Sequence, residues 1–123
     1  MNWNFIGKGS AFYPLYGNTG AYLLWEKELY LLDCGEAAFD FLYRHVDLDA
    51  VENVYVILTH LHADHVGSLG TLISYYYCLH KLQVHVVHPE ETAARLLALE
   101  GLDPDAYHFC RELPENKAGL RAV

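Results

Sequence analysis

At 123 residues the chain has the length of one domain, and a chain this small buries only a modest fraction of its surface. Its formal charge of -8, from 8 Lys and Arg against 16 Asp and Glu, disfavours nucleic acid as a partner, because phosphate binding rests on basic side chains. No window reaches the length of a membrane span, no leader is readable in residues 1–5, and three cysteines without a close pair make no disulfide framework, so the cytoplasm is the expected compartment.

Residues 4–6 read as a short edge strand. Residues 21–25 and 28–32 are two apolar runs around Glu26-Lys27 and predict a hairpin, although this is not the Asn-Gly or Asp-Gly pair that such turns favour. Gly35 ends the strand region, and Ala38, Phe41, Leu42 and His45 then recur at helical spacing, predicting an amphipathic helix over 36–45 with His45 on its face or cap. Residues 54–58 are an unbroken apolar run and predict a buried strand. Beyond the polar stretch that follows, Val66, Leu69, Leu72, Ile73, Tyr76, Tyr77 and His80 trace one helix face, and the run Tyr75-Tyr76-Tyr77 reads as core rather than as the lining of a cleft. A buried strand over 83–87 leads into His88-Pro89-Glu90-Glu91, where Pro89 suits a first helical position and the glutamates suit a helix N-terminus. Gly101 closes that helix, and residues 107–113 read as a further strand. The order is βββαβαβα, an α/β chain without linkers or low-complexity segments.

Thr59-His60-Leu61-His62-Ala63-Asp64-His65 carries the chemistry. Three imidazoles and a carboxylate directly after a core strand are the ligands that zinc and similar divalent ions take. Side chains alternate along extended backbone, so His60 and His62 point the same way and can share one ion. Asp64 and His65 come after the chain has left the strand, at the mouth of a helix, where they can hold a neighbouring ion. Gly67 lets the backbone pass close by without a Cβ. A histidine-rich exposed loop is the ordinary alternative, and it leaves unexplained why the polar residues occupy alternate positions after a strand. Cys34 reads as a small buried filler rather than a nucleophile. His88 lies at the end of a parallel-type strand, where α/β folds place functional groups, and is a candidate to touch substrate.

The stretch resembles the His-x-His-x-Asp-His signature of the metallo-β-lactamase superfamily. Phe5-Ile6-Gly7-Lys8-Gly9-Ser10-Ala11-Phe12, Asn18-Thr19-Gly20-Ala21-Tyr22-Leu23-Leu24, Leu31-Leu32-Asp33-Cys34-Gly35-Glu36 and the metal loop running into Gly67-Ser68-Leu69-Gly70 are similar, in order and spacing, to the ribonuclease Z-like branch. The likeness covers about residues 3–90. It implies half of an αββα sandwich, a mixed sheet with helices on one face. It also implies that His60 and His62 hold a first metal, Asp64 and His65 a second, and that Asp64 touches the bridging water as a catalytic group. Asp33, otherwise a turn former before Gly35, would support the metal loop from behind its ligands. The cofactor expected is a pair of divalent ions, zinc, with manganese or iron as alternatives. The activity implied is hydrolysis of a phosphodiester or another ester-type bond by a metal-activated water; the alternative is a non-catalytic metal-binding or assembly module that retains the fold.

The family completes its site with a histidine, a bridging aspartate and a last histidine from the second half of the domain, and His80, His85, His88 and His108 do not sit in those motifs. Residues 1–123 are therefore expected to be one partial domain lacking its C-terminal half. An apolar content of 53% suggests a large face with nothing in the chain to cover it, and hence self-association or docking of a second half. The substrate expected is a small molecule or ester; nucleic acid is possible but disfavoured by charge, and no membrane is implicated.

Overall fold

Among the described residues six strands lie side by side in the order in which the chain makes them, β1 (Asn4–Gly7), β2 (Gly20–Trp25), β3 (Glu28–Leu32), β4 (Asn53–Ile57), β5 (Val84–Val87) and β6 (Tyr107–Cys110). The computed structural model describes residues 4–7, 20–59 and 66–113. The pairs β1/β2 and β2/β3 are antiparallel, and β3/β4, β4/β5 and β5/β6 are parallel. Parallel neighbours need crossovers, and these are the helices α1 (Ala38–His45), α2 (Leu69–His80) and α3 (Thr92–Leu99), with 3-10 turns at Leu48–Ala50 and Pro104–Ala106. The mixed sheet expected from the sequence is thus present, with the last predicted strand shortened to four residues.

The strand register follows the period of two. Leu29, Leu31, Val54, Val56, Val84, Val86 and Tyr107 face one side, where they pack with Leu42 of α1, Leu69, Leu72, Ile73 and Tyr76 of α2 and Leu97 of α3. All three helices share this cluster, so they cover one face of the sheet. Burial of each such Leu or Val contributes about 1.5 to 3 kcal/mol before entropy is counted. Tyr76 is fully buried, and its hydroxyl donates to the Leu48 carbonyl at 2.9 Å, which ties α2 to the turn after α1.

The opposite face carries a row of rings. Tyr30 pairs with Tyr55, Tyr55 with His85 and His85 with His108 across four adjacent strands. Tyr30 stacks on Tyr55 with centroids 5.2 Å apart, and Tyr55 on His85 at 4.5 Å. Leu23, Tyr30, Tyr55, Val87 and Leu113 form a second, smaller buried cluster there. Leu23, Tyr30, Tyr55 and Val87 on this face are buried. Large exposed apolar side chains include Trp25 at the hairpin, Leu79 on α2 and Leu99 on α3.

Three local expectations also shift. Tyr77 was expected on the buried face of its helix but is exposed, because a residue next to Tyr76 is turned by about 100° around the axis. Pro89 does not begin α3; Pro89 and Glu90 form a bend, and the helix opens at Thr92. Helix α1 starts at Ala38, two residues after the predicted start, since Glu36 and Ala37 make a turn. Gly101 does close α3, at a φ of +88° that a side chain would strain.

Candidate metal centre

The parallel strands β3, β4 and β5 end together. The ladder runs one step past them, from the Asp33 N–H to the Ile57 carbonyl at 2.8 Å, from the Leu58 N–H to Val87 at 2.9 Å and from the His88 N–H to Cys110 at 3.0 Å. Asp33, Leu58 and His88 therefore lie in line along the carboxyl edge of the parallel part of the sheet, the edge at which open α/β sheets bind ligands. The His-x-His-x-Asp-His stretch leaves β4 at this edge; His60, His62, Asp64 and His65 themselves lie outside the described residues.

Asp33 is buried and takes a positive φ of 65°, a conformation that aspartate tolerates better than most residues. Its Oδ1 accepts the Thr59 N–H at 2.7 Å and its Oδ2 accepts the Thr59 hydroxyl at 2.7 Å. Both oxygens grip the residue immediately before His60, so a carboxylate fixes the point at which the chain leaves the strand. Thr59 was not singled out from the sequence; the available signal was a hydroxyl residue between an apolar strand and the histidine cluster.

On the other side of the loop, the Ser68 hydroxyl donates to the Gly35 carbonyl and accepts the Phe39 N–H at 3.1 Å. The Ser68 N–H in turn donates to the Cys34 carbonyl at 3.2 Å. The segment that resumes after the motif is thereby stitched to the β3–α1 connection, the same connection that bears Asp33. Cys34 is fully buried with its Sγ 3.5 Å from the Ser68 Oγ, and burial pushes its thiol up to about 12, against a lowering by the Ser68 contact and with a further rise from the Asp33 charge. A thiol so protonated packs and does not attack, as expected for a filler.

His88 is buried at the end of β5. Its Nδ1 lies 3.1 Å from the Glu90 N–H and 3.0 Å from the Glu90 carbonyl. Both contacts go to Glu90, so the backbone at the start of the bend fixes the orientation of the ring. The arrangement at this edge thus combines a carboxylate clamp, a stitched return segment and an imidazole held by the backbone.

Residues 1–102 match the profile of the family described as Anti-Pycsar protein Apyc1. The protein of that name from Saccharibacillus brassicae is 39% identical over 69 residues, which is 56% of this chain and 28% of that protein. The ribonuclease Z of Porphyromonas gingivalis is 28% identical over 110 residues, 89% of this chain and 34% of its own length. Among solved structures, the short form of human tRNase Z superposes with a TM-score of 0.67 at 25% identity, covering 89% of this chain and 44% of that one. YhfI of Bacillus subtilis, described as a metallo-β-lactamase fold protein, superposes with a TM-score of 0.62 at 19% identity, over 92% of this chain and 47% of that one. The fold and the ribonuclease Z-like relationship expected from the motif segments are those found. The chain spans 28% to 34% of the length of these curated relatives.

Proposed function

Because the chain belongs to the family described as Anti-Pycsar protein Apyc1, we propose that it supplies the first metal-binding segment of a metal-dependent phosphodiesterase of the metallo-β-lactamase fold. The observation that carries this reading is the two-oxygen grip of Asp33 on Thr59, which fixes the backbone next to His60 at the ligand-binding edge of the sheet. The donor set fits divalent ions, since three imidazoles and a carboxylate are the oxygen and nitrogen ligands that zinc, manganese or iron accept.

In this reading His60 and His62 hold one ion, and Asp64 and His65 a second. A bound pair of divalent ions supplies Lewis acidity and a water-derived nucleophile at neutral pH. The Asp64 carboxylate, by the resemblance of the motif, would touch the attacking water. Asp33 keeps Thr59 in place and so limits the freedom of the ligands that follow it. His88, at the same edge, is the residue proposed to contact substrate.

The substrate class rests on chemistry and charge. Relatives named ribonuclease act on the phosphodiesters of RNA, and a net charge of -8 favours a small phosphodiester over a polyanion here. The remaining ligands come from a second half of the domain or from a docked partner carrying it, and residues 1–123 alone hold zinc weakly and turn over slowly. The cytoplasm is the compartment proposed; among the described residues no helix is long and apolar enough to cross a membrane.

Zinc uptake by elemental analysis, together with hydrolysis of bis(p-nitrophenyl) phosphate with and without chelator, tests the reading. Weak uptake that falls further in His62→Ala supports it. Uptake unchanged by both His60→Ala and His62→Ala overturns the site and leaves an assembly module. Tight uptake with chelator-sensitive turnover, abolished by His62→Ala, overturns the need for a second half.

A further inference from the structure

We propose that His85, His108 and Cys110 form a separate cation site of the zinc type on the helix-free face of the sheet. His85 on β5 is paired in register with His108 on β6, and Cys110 follows two residues later on β6, hence on the same face. One donor atom from each of the three lies within 4.8 Å of the other two. Around a tetrahedral zinc such atoms stand roughly 3.3 to 3.5 Å apart, given zinc–nitrogen and zinc–sulfur bonds of about 2.0 and 2.3 Å. A closure of about an ångström, well within side-chain rotation, converts the cluster into a three-ligand site with one position for water.

Two histidines facing each other across adjacent strands are by themselves an ordinary cross-strand pair. A thiol on the same face makes this one a ligand set, and the neighbours of His85 hold its ring in place. His85 is stacked on Tyr55 at an interplanar angle of 14°, and Tyr55 on Tyr30 at 11°. The plane of the imidazole is thus set before any ion arrives, which lowers the ordering cost of binding. His108 is exposed and meets His85 edge-on, with centroids 5.3 Å apart, so it is the ligand free to swing. Two nitrogens and a thiolate select zinc, or cobalt as its surrogate, over the oxygen-seeking magnesium and calcium. His85 and His108 lie about 10 Å of strand before His88, Cys110 reaches the sheet edge, where its carbonyl accepts the His88 N–H, and none of the three belongs to the histidine-rich loop 60–65.

The test exploits the sulfur, because the loop 60–65 has no cysteine. The full 123-residue chain, stripped with chelator, is titrated with cobalt(II) while the thiolate-to-cobalt charge-transfer absorption is followed in the near ultraviolet. A saturable band is expected that disappears in Cys110→Ser, needs about tenfold more cobalt in His108→Ala, and persists in Cys78→Ser. It also persists in the double variant His60→Ala, His62→Ala, so failure of the loop site and failure of this one are told apart. In the unaltered chain, zinc should slow alkylation of Cys110 but not of Cys78, a readout that needs no variant to fold. Absence of the band, its survival in Cys110→Ser, or alkylation of Cys110 unaffected by zinc overturns the proposal.

Discussion

The carboxylate of Asp33 holds Thr59 twice, through its backbone N–H and through its hydroxyl, each at 2.7 Å and across 26 residues of sequence. One side chain from the end of β3 thereby sets the end of β4, and with it the base from which His60 projects.

Asp33→Asn isolates that grip, because asparagine also tolerates the positive φ at this position while turning one acceptor into a donor that faces the Thr59 hydroxyl. The expected cost is about 1 to 3 kcal/mol in urea denaturation. Zinc affinity of the loop site should fall by about 10-fold to 100-fold, read by competition with a chromogenic chelator. A stability loss without any change in zinc affinity would show that Asp33 serves the fold alone.

Ser68→Ala removes a buried hydroxyl that satisfies both the Gly35 carbonyl and the Phe39 N–H. The Gly35 carbonyl keeps the Ala38 N–H at 3.1 Å, but leaving the Phe39 N–H without its partner should cost about 1 to 3 kcal/mol. Hydrogen exchange should rise first at Phe39 and the start of α1, the local readout that separates this contact from a general loosening.

The three thiols should differ in reactivity with iodoacetamide under native conditions. Cys78 is exposed, Cys110 is half-buried with its thiol raised by burial, and Cys34 is buried with its thiol near 12. Alkylation followed by peptide mass spectrometry should label Cys78 first, Cys110 later and Cys34 only on unfolding. Early labelling of Cys34 would mean that the packing around Ser68 opens readily.

Burial lowers the pKa of His85 below its ordinary 6.5; the neighbouring His108 adds to the lowering and Glu28 opposes it. The unfolded chain then takes up a proton that the folded chain resists, so the stability linked to His85 is intact above about 6.5 and is lost as pH falls from there through the lowered folded value. With chelator present, His85→Phe should flatten the fall in stability between neutral and mildly acid pH while keeping a ring against Tyr55. An unchanged pH slope would remove His85 as its source.

The hairpin shows how far local sequence carries. Strands on either side of Glu26-Lys27 fall where the alternation puts them, and both turn residues take positive φ, 49° and 72°, although neither favours it. The twist of the paired strands selects that turn, overriding residue preference. The same override appears at Pro89, where the neighbouring His88 and Glu90 are tied into a bend by the His88 ring and α3 opens only at Thr92.

Most strand and helix positions and the buried stripes were legible in the sequence, because each depends on spacing within a few residues. The fold alone decided which distant residues meet: Asp33 with Thr59, Ser68 with Gly35, and His85 with His108 and Cys110. Those meetings depend on the register of parallel strands joined through crossover helices, and no pattern in neighbouring residues fixes a register between segments that the chain brings together only after it has turned back on itself.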